Sequence, residues 1–195
     1  FYDVTGGRVL LDGEDVRDYS FDALRSKVAL VLQKSELFSG TVAENLRWGN
    51  PEASDAELKK AAEIAQADGF IESFNEGYDT MIAEKGASLS GGQKQRLSIA
   101  RAILKKPEII IFDDSMSALD LKTSARLSAA LRSEMADTTV ITIAQRVASV
   151  MNADRIVVLD GGGISAVGTH AELLETSDVY RDIYNSQLKR GENIE

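Results

Sequence analysis

The chain has 195 residues, 44% hydrophobic and 27% charged, which suits a single soluble domain with a sizeable core. Its 22 basic and 31 acidic residues leave a net charge of -9, a surface that repels polyanions and argues against a nucleic-acid-binding module. The absence of cysteine excludes disulfides and thiolate metal sites and suits a reducing compartment. No apolar run approaches the ~18–20 residues that span a bilayer, and no signal-peptide pattern is visible.

In chain order, Arg8–Leu11 reads as a strand closed by the Asp12-Gly13 turn. A short helix from Ser20 leads into the apolar strand Val28–Leu32, VALVL, with Gln33 directly after it and the irregular loop KSELFSG beyond. Thr41/Glu44, Ser54/Glu57 and Thr169/Glu172 have the spacing of capping boxes and predict helix starts. The second of these helices should run to about Ala67 and end at Asp68-Gly69. Ser90 precedes a further helix from Gly91 to about Lys105, stopped by Pro107.

Ile109–Phe112, IIIF, reads as a fully buried parallel strand and runs straight into Asp113 and Asp114. A helix from about Asp120 follows, with Leu127, Leu131 and Met135 along one face. Thr139–Ala144 and Arg155–Leu159 are the remaining strands, the latter before a Gly161-Gly162-Gly163 turn. Strands alternating with helices predict a layered α/β sheet. There are no internal repeats, and the tail KRGENIE from Lys189 is expected to fray.

Three predicted strands end in polar groups: Gln33, Asp113-Asp114 and Gln145. In an open parallel sheet such ends line one rim, where ligands bind. Ionised carboxylates at the mouth of a buried strand are costly unless a cation or hydrogen-bond donors receive them. Asp113 offers the hard oxygen that magnesium takes, although capping the following turn would explain it equally well. In LSGGQKQR, Leu89–Arg96, a serine and two glycines open a helix and expose backbone N–H groups at its positive end. That arrangement favours an anion such as phosphate, against the plainer reading of a serine cap. The other predicted caps, Thr41, Ser54 and Thr169, carry no such glycine pair.

Together these segments resemble the nucleotide-binding domain of ABC transporters over essentially the whole chain. LSGGQ resembles the family signature, IIIFDD the Walker B strand and SALD, Ser117–Asp120, the D-loop. VLQKSELFSGTVAEN is similar to the Q-loop region of exporter-type members. GYDTMIAEKG resembles the loop before their signature, with Glu84 at the position that meets the membrane domain. The resemblance implies a P-loop NTPase-type layered α/β sheet, with a helical signature subdomain over about 34–106 of a partial domain spanning 1–195. It also implies ATP and Mg2+ as cofactors, with Gln33 and Asp113 at the metal. Ser90, Gly91, Gly92, Gln93, Asp120 and Gln33 fall at nucleotide-contacting positions.

Departures from the family pattern are informative. No G-x-x-x-x-G-K-[ST] phosphate loop occurs in the sequence. FYDVTGG, without an initial Met, is expected to be a cut end, with that loop and the adenine-stacking aromatic upstream of it. Asp114 stands where the family usually has its catalytic Glu, and Gln145 where it usually has His. The resemblance therefore implies a degenerate, slow catalytic pair beside an intact signature. That is the pattern of one half of a heterodimeric exporter at the cytoplasmic face of a membrane. Its expected partners are a second nucleotide-binding domain and the coupling helices of a transmembrane domain near Gln33 and Glu84, with no nucleic acid. A non-hydrolysing nucleotide sensor and a soluble ABC-type ATPase are the alternatives. Phe38, Trp48, Phe70, Phe74 and Tyr78 are expected to be packing residues, His170 a surface residue, and Glu57/Lys60 a solvated pair on one helix face.

Overall fold

The structure, a computed structural model, describes residues 2–191 and divides into two compact units, Phe1–Ile141 and Thr142–Glu195. In the first unit, Val28–Val31 pairs in parallel with Ile109–Phe112, in the register Val28↔Ile109 to Val31↔Phe112. Thr139–Ile143 is next in the sheet order. Ala29, Val31, Ile110 and Phe112 are buried, but Val28, Leu30, Ile109 and Ile111 on the other face are only half-buried. The full burial expected of these apolar runs is thus corrected to burial of alternate residues. Leu32, expected to close the first of these strands, lies outside it and is 55% exposed.

The helix Gly91–Leu104 packs beside this sheet and buries Leu97, Ile99, Ala100 and Leu104. Leu46, Leu58, Ala61 and Ala62 from the helices Val42–Arg47 and Asp55–Ile64 join the same core. Leu127 and Leu131 reach it from the helix Leu121–Glu134, with Met135 partly buried beside them. Two antiparallel ribbons complete the unit. Leu10–Leu11 pairs with Glu14–Asp15 across a turn whose residues Asp12 and Gly13 have φ 53° and 86°, the backbone a two-residue hairpin requires. Gly40–Thr41 pairs with Met81–Ile82.

All three predicted capping boxes form. In the first, the Glu44 N–H donates to Thr41 Oγ1 at 3.0 Å and the Thr41 N–H to Glu44 Oε2 at 2.7 Å. One predicted boundary moves. Asp68-Gly69 does not end the second helix. The chain breaks at Gln66, with φ 59°, and Asp68 opens a new helix, Asp68–Glu72.

The second unit has the strand Ile156–Asp160 folded back antiparallel on Gly163–Gly168, with Gly161 and Gly162 at φ 56° and 82° in the turn. The helices His170–Thr176 and Asp178–Gly191 follow. Its core is Val147, Ile156, Val158, Leu173 and Tyr180. Helix therefore continues over Lys189–Gly191, where the tail was expected to fray, and 192–195 lie outside the described residues.

Three expectations for side chains are corrected. His170 is half-buried: its Nδ1 lies 2.8 Å from Tyr180 Oη, and its ring packs edge-on against Tyr180 and Tyr184. Phe70, Phe74 and Tyr78 pack against the core, but Phe38 and Trp48 stack on each other at 4.7 Å while 44% and 65% exposed. Glu57 and Lys60 do lie on a solvated helix face, but they do not pair with each other. Glu57 accepts from Lys106 and Lys60 pairs with Glu134, which ties the helix Asp55–Ile64 to its neighbours.

Candidate active site

The parallel register carries the site. With Val31 opposite Phe112, the residues just past the strand ends, Gln33 and Asp114, fall side by side. Gln33 Nε2 donates to Asp114 Oδ2 at 2.9 Å, so two of the three predicted strand-end groups do meet. Asp113 is the last residue of its strand and half-buried. Asp114 has φ 45°, a left-handed conformation that costs an aspartate on the order of 1 kcal/mol and turns the chain sharply out of the sheet. The turn is held by Ser117, whose Oγ donates to the Asp114 carbonyl at 2.7 Å and whose N–H reaches it at 3.3 Å.

Beyond the turn, Met116 and Leu119 anchor the segment in the core. Ser115 is buried, and its hydroxyl has no hydrogen-bond partner among the described residues. Asp120 caps the helix Leu121–Glu134: Oδ1 accepts from the Thr123 N–H at 2.9 Å and Oδ2 from Thr123 Oγ1 at 2.7 Å. The Thr123 hydroxyl, then its amide, holds this carboxyl below the usual carboxylate range. The acceptors of Asp120 are thus already engaged within its own chain.

Ser90, Gly91, Gly92 and Gln93 open the helix Gly91–Leu104 in a fourth capping box, legible as S-x-x-Q but not read as one from the sequence. The Gln93 N–H donates to Ser90 Oγ at 3.2 Å, and the Ser90 N–H donates to Gln93 Oε1 at 2.9 Å. The Gly91 and Gly92 backbone N–H groups, the Ser90 hydroxyl proton and the Gln93 Nε2 group remain the donors suited to an anion at this helix end. The two glycines differ. A Cβ on Gly92 would stand 3.3 Å from the Ala118 carbonyl, so Gly92 lets this helix end pack on the Ser117–Asp120 segment. A Cβ on Gly91 would meet nothing within 4 Å, so packing inside the chain does not require that glycine.

Gln145 lies in the second unit, where its carbonyl accepts from Gln187 Nε2 at 2.8 Å and Gln187 Oε1 accepts from the Val147 N–H at 2.9 Å. Glu84 is exposed in the turn Glu84–Gly86, next to Lys85 at φ 57°. Gln95, absent from the residues singled out by sequence, is 1% exposed, with Nε2 donating to the Leu32 carbonyl at 3.1 Å. Its signal was positional: Gln95 shares a helix face with Ile99 and Ala102, so it is a polar residue on a core stripe.

As a metal site the donor set is sparse. Among the described residues, no group of three or more His, Cys, Asp or Glu could hold an ion. One carboxylate, Asp113, and the carboxamide oxygen of Gln33 fit a magnesium ion that brings the rest of its ligands as phosphate oxygens and water. Among the described residues, no helix is long and apolar enough to cross a membrane.

Comparison with known proteins identifies the family and the fold. The family described as ABC transporter matches residues 1–117. A Bacillus subtilis protein named "Putative multidrug export ATP-binding/permease protein YgaD" is 46% identical over 187 residues, 96% of this chain and 32% of that protein. A Staphylococcus aureus protein of the same description is 44% identical over the same shares, 96% and 32%. The solved structure of a bacterial Atm1-family ABC exporter with ATP bound superposes with a TM-score of 0.91 at 38% identity, over 95% of this chain and 32% of that one. The chain thus spans about a third of the length of these relatives. It belongs to the ABC transporter family, as part of the nucleotide-binding domain of an exporter-type member.

Proposed function

We propose that this chain binds and hydrolyses ATP as the motor domain of an exporter, at the cytoplasmic face of a membrane. The observation that carries the reading is the meeting of Gln33 with Asp114 beside Asp113 at adjacent parallel strand ends. In such a site Asp113 and Gln33 hold the oxygen-coordinated magnesium that arrives with the nucleotide. When bound there, magnesium would supply charge neutralisation for the phosphates. Asp114 orients the attacking water, and Gln145 donates a hydrogen bond toward the terminal phosphate without carrying charge. Glu84 and the Gln33 loop meet the membrane domain.

The own site is slow. Asp114 is one methylene shorter than the family's usual Glu, which withdraws its carboxylate by ~1 Å, a misplacement worth up to ~10²-fold in rate. Its hydrogen bond from Gln33 directs the short carboxylate across the strand ends. The signature Ser90–Gln93 is complete and serves the site of a second nucleotide-binding domain in a head-to-tail dimer. Two copies of this chain would make two slow sites, so the partner is a different chain that carries the usual Glu and His. ATP held in the slow site acts as a clamp while the partner's site turns over.

The test is Asp114→Glu with Gln145→His in the full-length heterodimer, with the partner's catalytic Glu replaced by Gln so that only this site reports. A well-placed general base contributes about 10²–10⁴-fold, and a gain of at least tenfold in ATPase rate is the expected result. No gain would overturn the slow-site reading.

A further inference from the structure

We infer that Gln95, on the signature helix, is the positioning residue that holds Gln33 in place for the reaction. The inference rests on the assignment of Gln33 to the active site. Gln95 is 1% exposed in a helix whose other inward residues are aliphatic. Burying a glutamine there costs side-chain entropy and desolvation, so its carboxamide must find partners. It finds both on one short loop: Nε2 donates to the Leu32 carbonyl at 3.1 Å, and Oε1 accepts from the Ser35 hydroxyl. These partners bracket Gln33, one residue before it and two after.

The loop needs such a hold. Strand pairing stops at Val31, Leu32 is 55% exposed, and no helix or strand covers 32–39. Further along, Arg101 of the same helix donates to the Glu36 carbonyl at 3.2 Å. Asn45 then clasps Phe38, accepting from its N–H and donating to its carbonyl, both at 2.9 Å. Arg101 also donates to the Asn45 carbonyl at 3.0 Å. The backbone is therefore held at Leu32, Glu36 and Phe38, and at Ser35 through its side chain, while the Gln33 side chain reaches Asp114. Gln95 lies one turn past Gly91, so a displacement of the signature helix is carried by this carboxamide to Gln33.

The experiment uses the full-length heterodimer with the partner's catalytic Glu replaced by Gln, so that only this chain's site reports turnover. It introduces Gln95→Leu, which keeps side-chain volume and removes both hydrogen bonds. Hydrogen exchange of the amides in 32–38, without nucleotide, should rise about tenfold, the factor a lost net hydrogen bond is worth, while the helix 91–104 keeps its protection. Ser35→Ala, which removes one bond at a half-buried site, should loosen the same segment less, and it decides the matter should Gln95→Leu fail to fold. Turnover should fall about tenfold in Gln95→Leu with KM for ATP little changed, and Gln33→Ala with Gln95→Leu should be no slower than Gln33→Ala alone. Unchanged exchange at 32–38 in a folded variant overturns the inference. So does multiplication of the two turnover losses, because a purely structural role of Gln95 would add to the loss of Gln33. If Gln33→Ala alone leaves turnover untouched, the active-site assignment of Gln33 falls, and the exchange result still decides whether Gln95 holds the loop.

Discussion

Replacing Gly91 with alanine sets the fold and the proposed function against each other at one atom. A Cβ there would meet nothing within 4 Å, so the chain can take it without displacement. Gly91 is the first residue of a 14-residue helix, where alanine loses less backbone entropy on folding than glycine. The full helix-interior difference is up to about 1 kcal/mol, and at the first position about 0.5 kcal/mol of stabilisation is expected. For a chain of this size that is a rise of about 1–2 °C in melting temperature, measured by circular dichroism on the 195-residue chain. ATPase activity of the full-length heterodimer should move the other way. A methyl group at the helix N-terminus keeps a phosphate from approaching the backbone N–H groups, and a shift of ~1 Å is enough to cost about 10²-fold. Gly92→Ala is the control. Its Cβ would stand 3.3 Å from the Ala118 carbonyl, so stability should fall by about 1 kcal/mol from crowding alone. Unchanged turnover in a stabilised Gly91→Ala would refute the view that this glycine serves phosphate approach. Loss of stability and activity together would mean that the helix end packs differently.

Gly49→Ala should be among the most damaging small changes, because its Cβ would overlap the Arg101 carbonyl oxygen and lie 3.0 Å from the Arg101 carbonyl carbon. The obstacle is backbone, so a loss of at least ~3 kcal/mol is expected, and a urea titration showing under ~1 kcal/mol would contradict the close approach. Glu57 supplies a pH signature: hydrogen bonds from the Lys106 ammonium first, then from the Ser54 amide and hydroxyl, hold its carboxyl at about 2. Since the folded pKa is depressed, this contribution to stability is complete above the ordinary carboxylate range and is lost as pH falls toward about 2. Glu57→Gln should therefore differ from wild type in urea midpoint near neutral pH and converge on it only as pH falls to about 2, and an unchanging difference would exclude the ion pair as its source.

What could be read directly from the sequence is what lies within one turn of chain. Thr41/Glu44, Ser54/Glu57 and Thr169/Glu172 cap their helices as their i, i+3 spacing predicts, because both partners of each hydrogen bond are fixed by local geometry. The apolar runs VALV and IIIF form strands, though only alternate residues of each are buried, and LSGGQ opens its helix where the serine places it. Relations across the chain were decided only on folding. Gln33 meets Asp114 over 81 residues, and Gln95 holds Leu32 over 63. Glu57 leaves Lys60, its helix neighbour, for Lys106, and His170 turns inward onto Tyr180 and Tyr184. Spacing cannot announce such contacts, because they depend on which helix faces the sheet and in what register the strands align. Motif order reached the family, and the parallel register of two strands decided which of its residues touch.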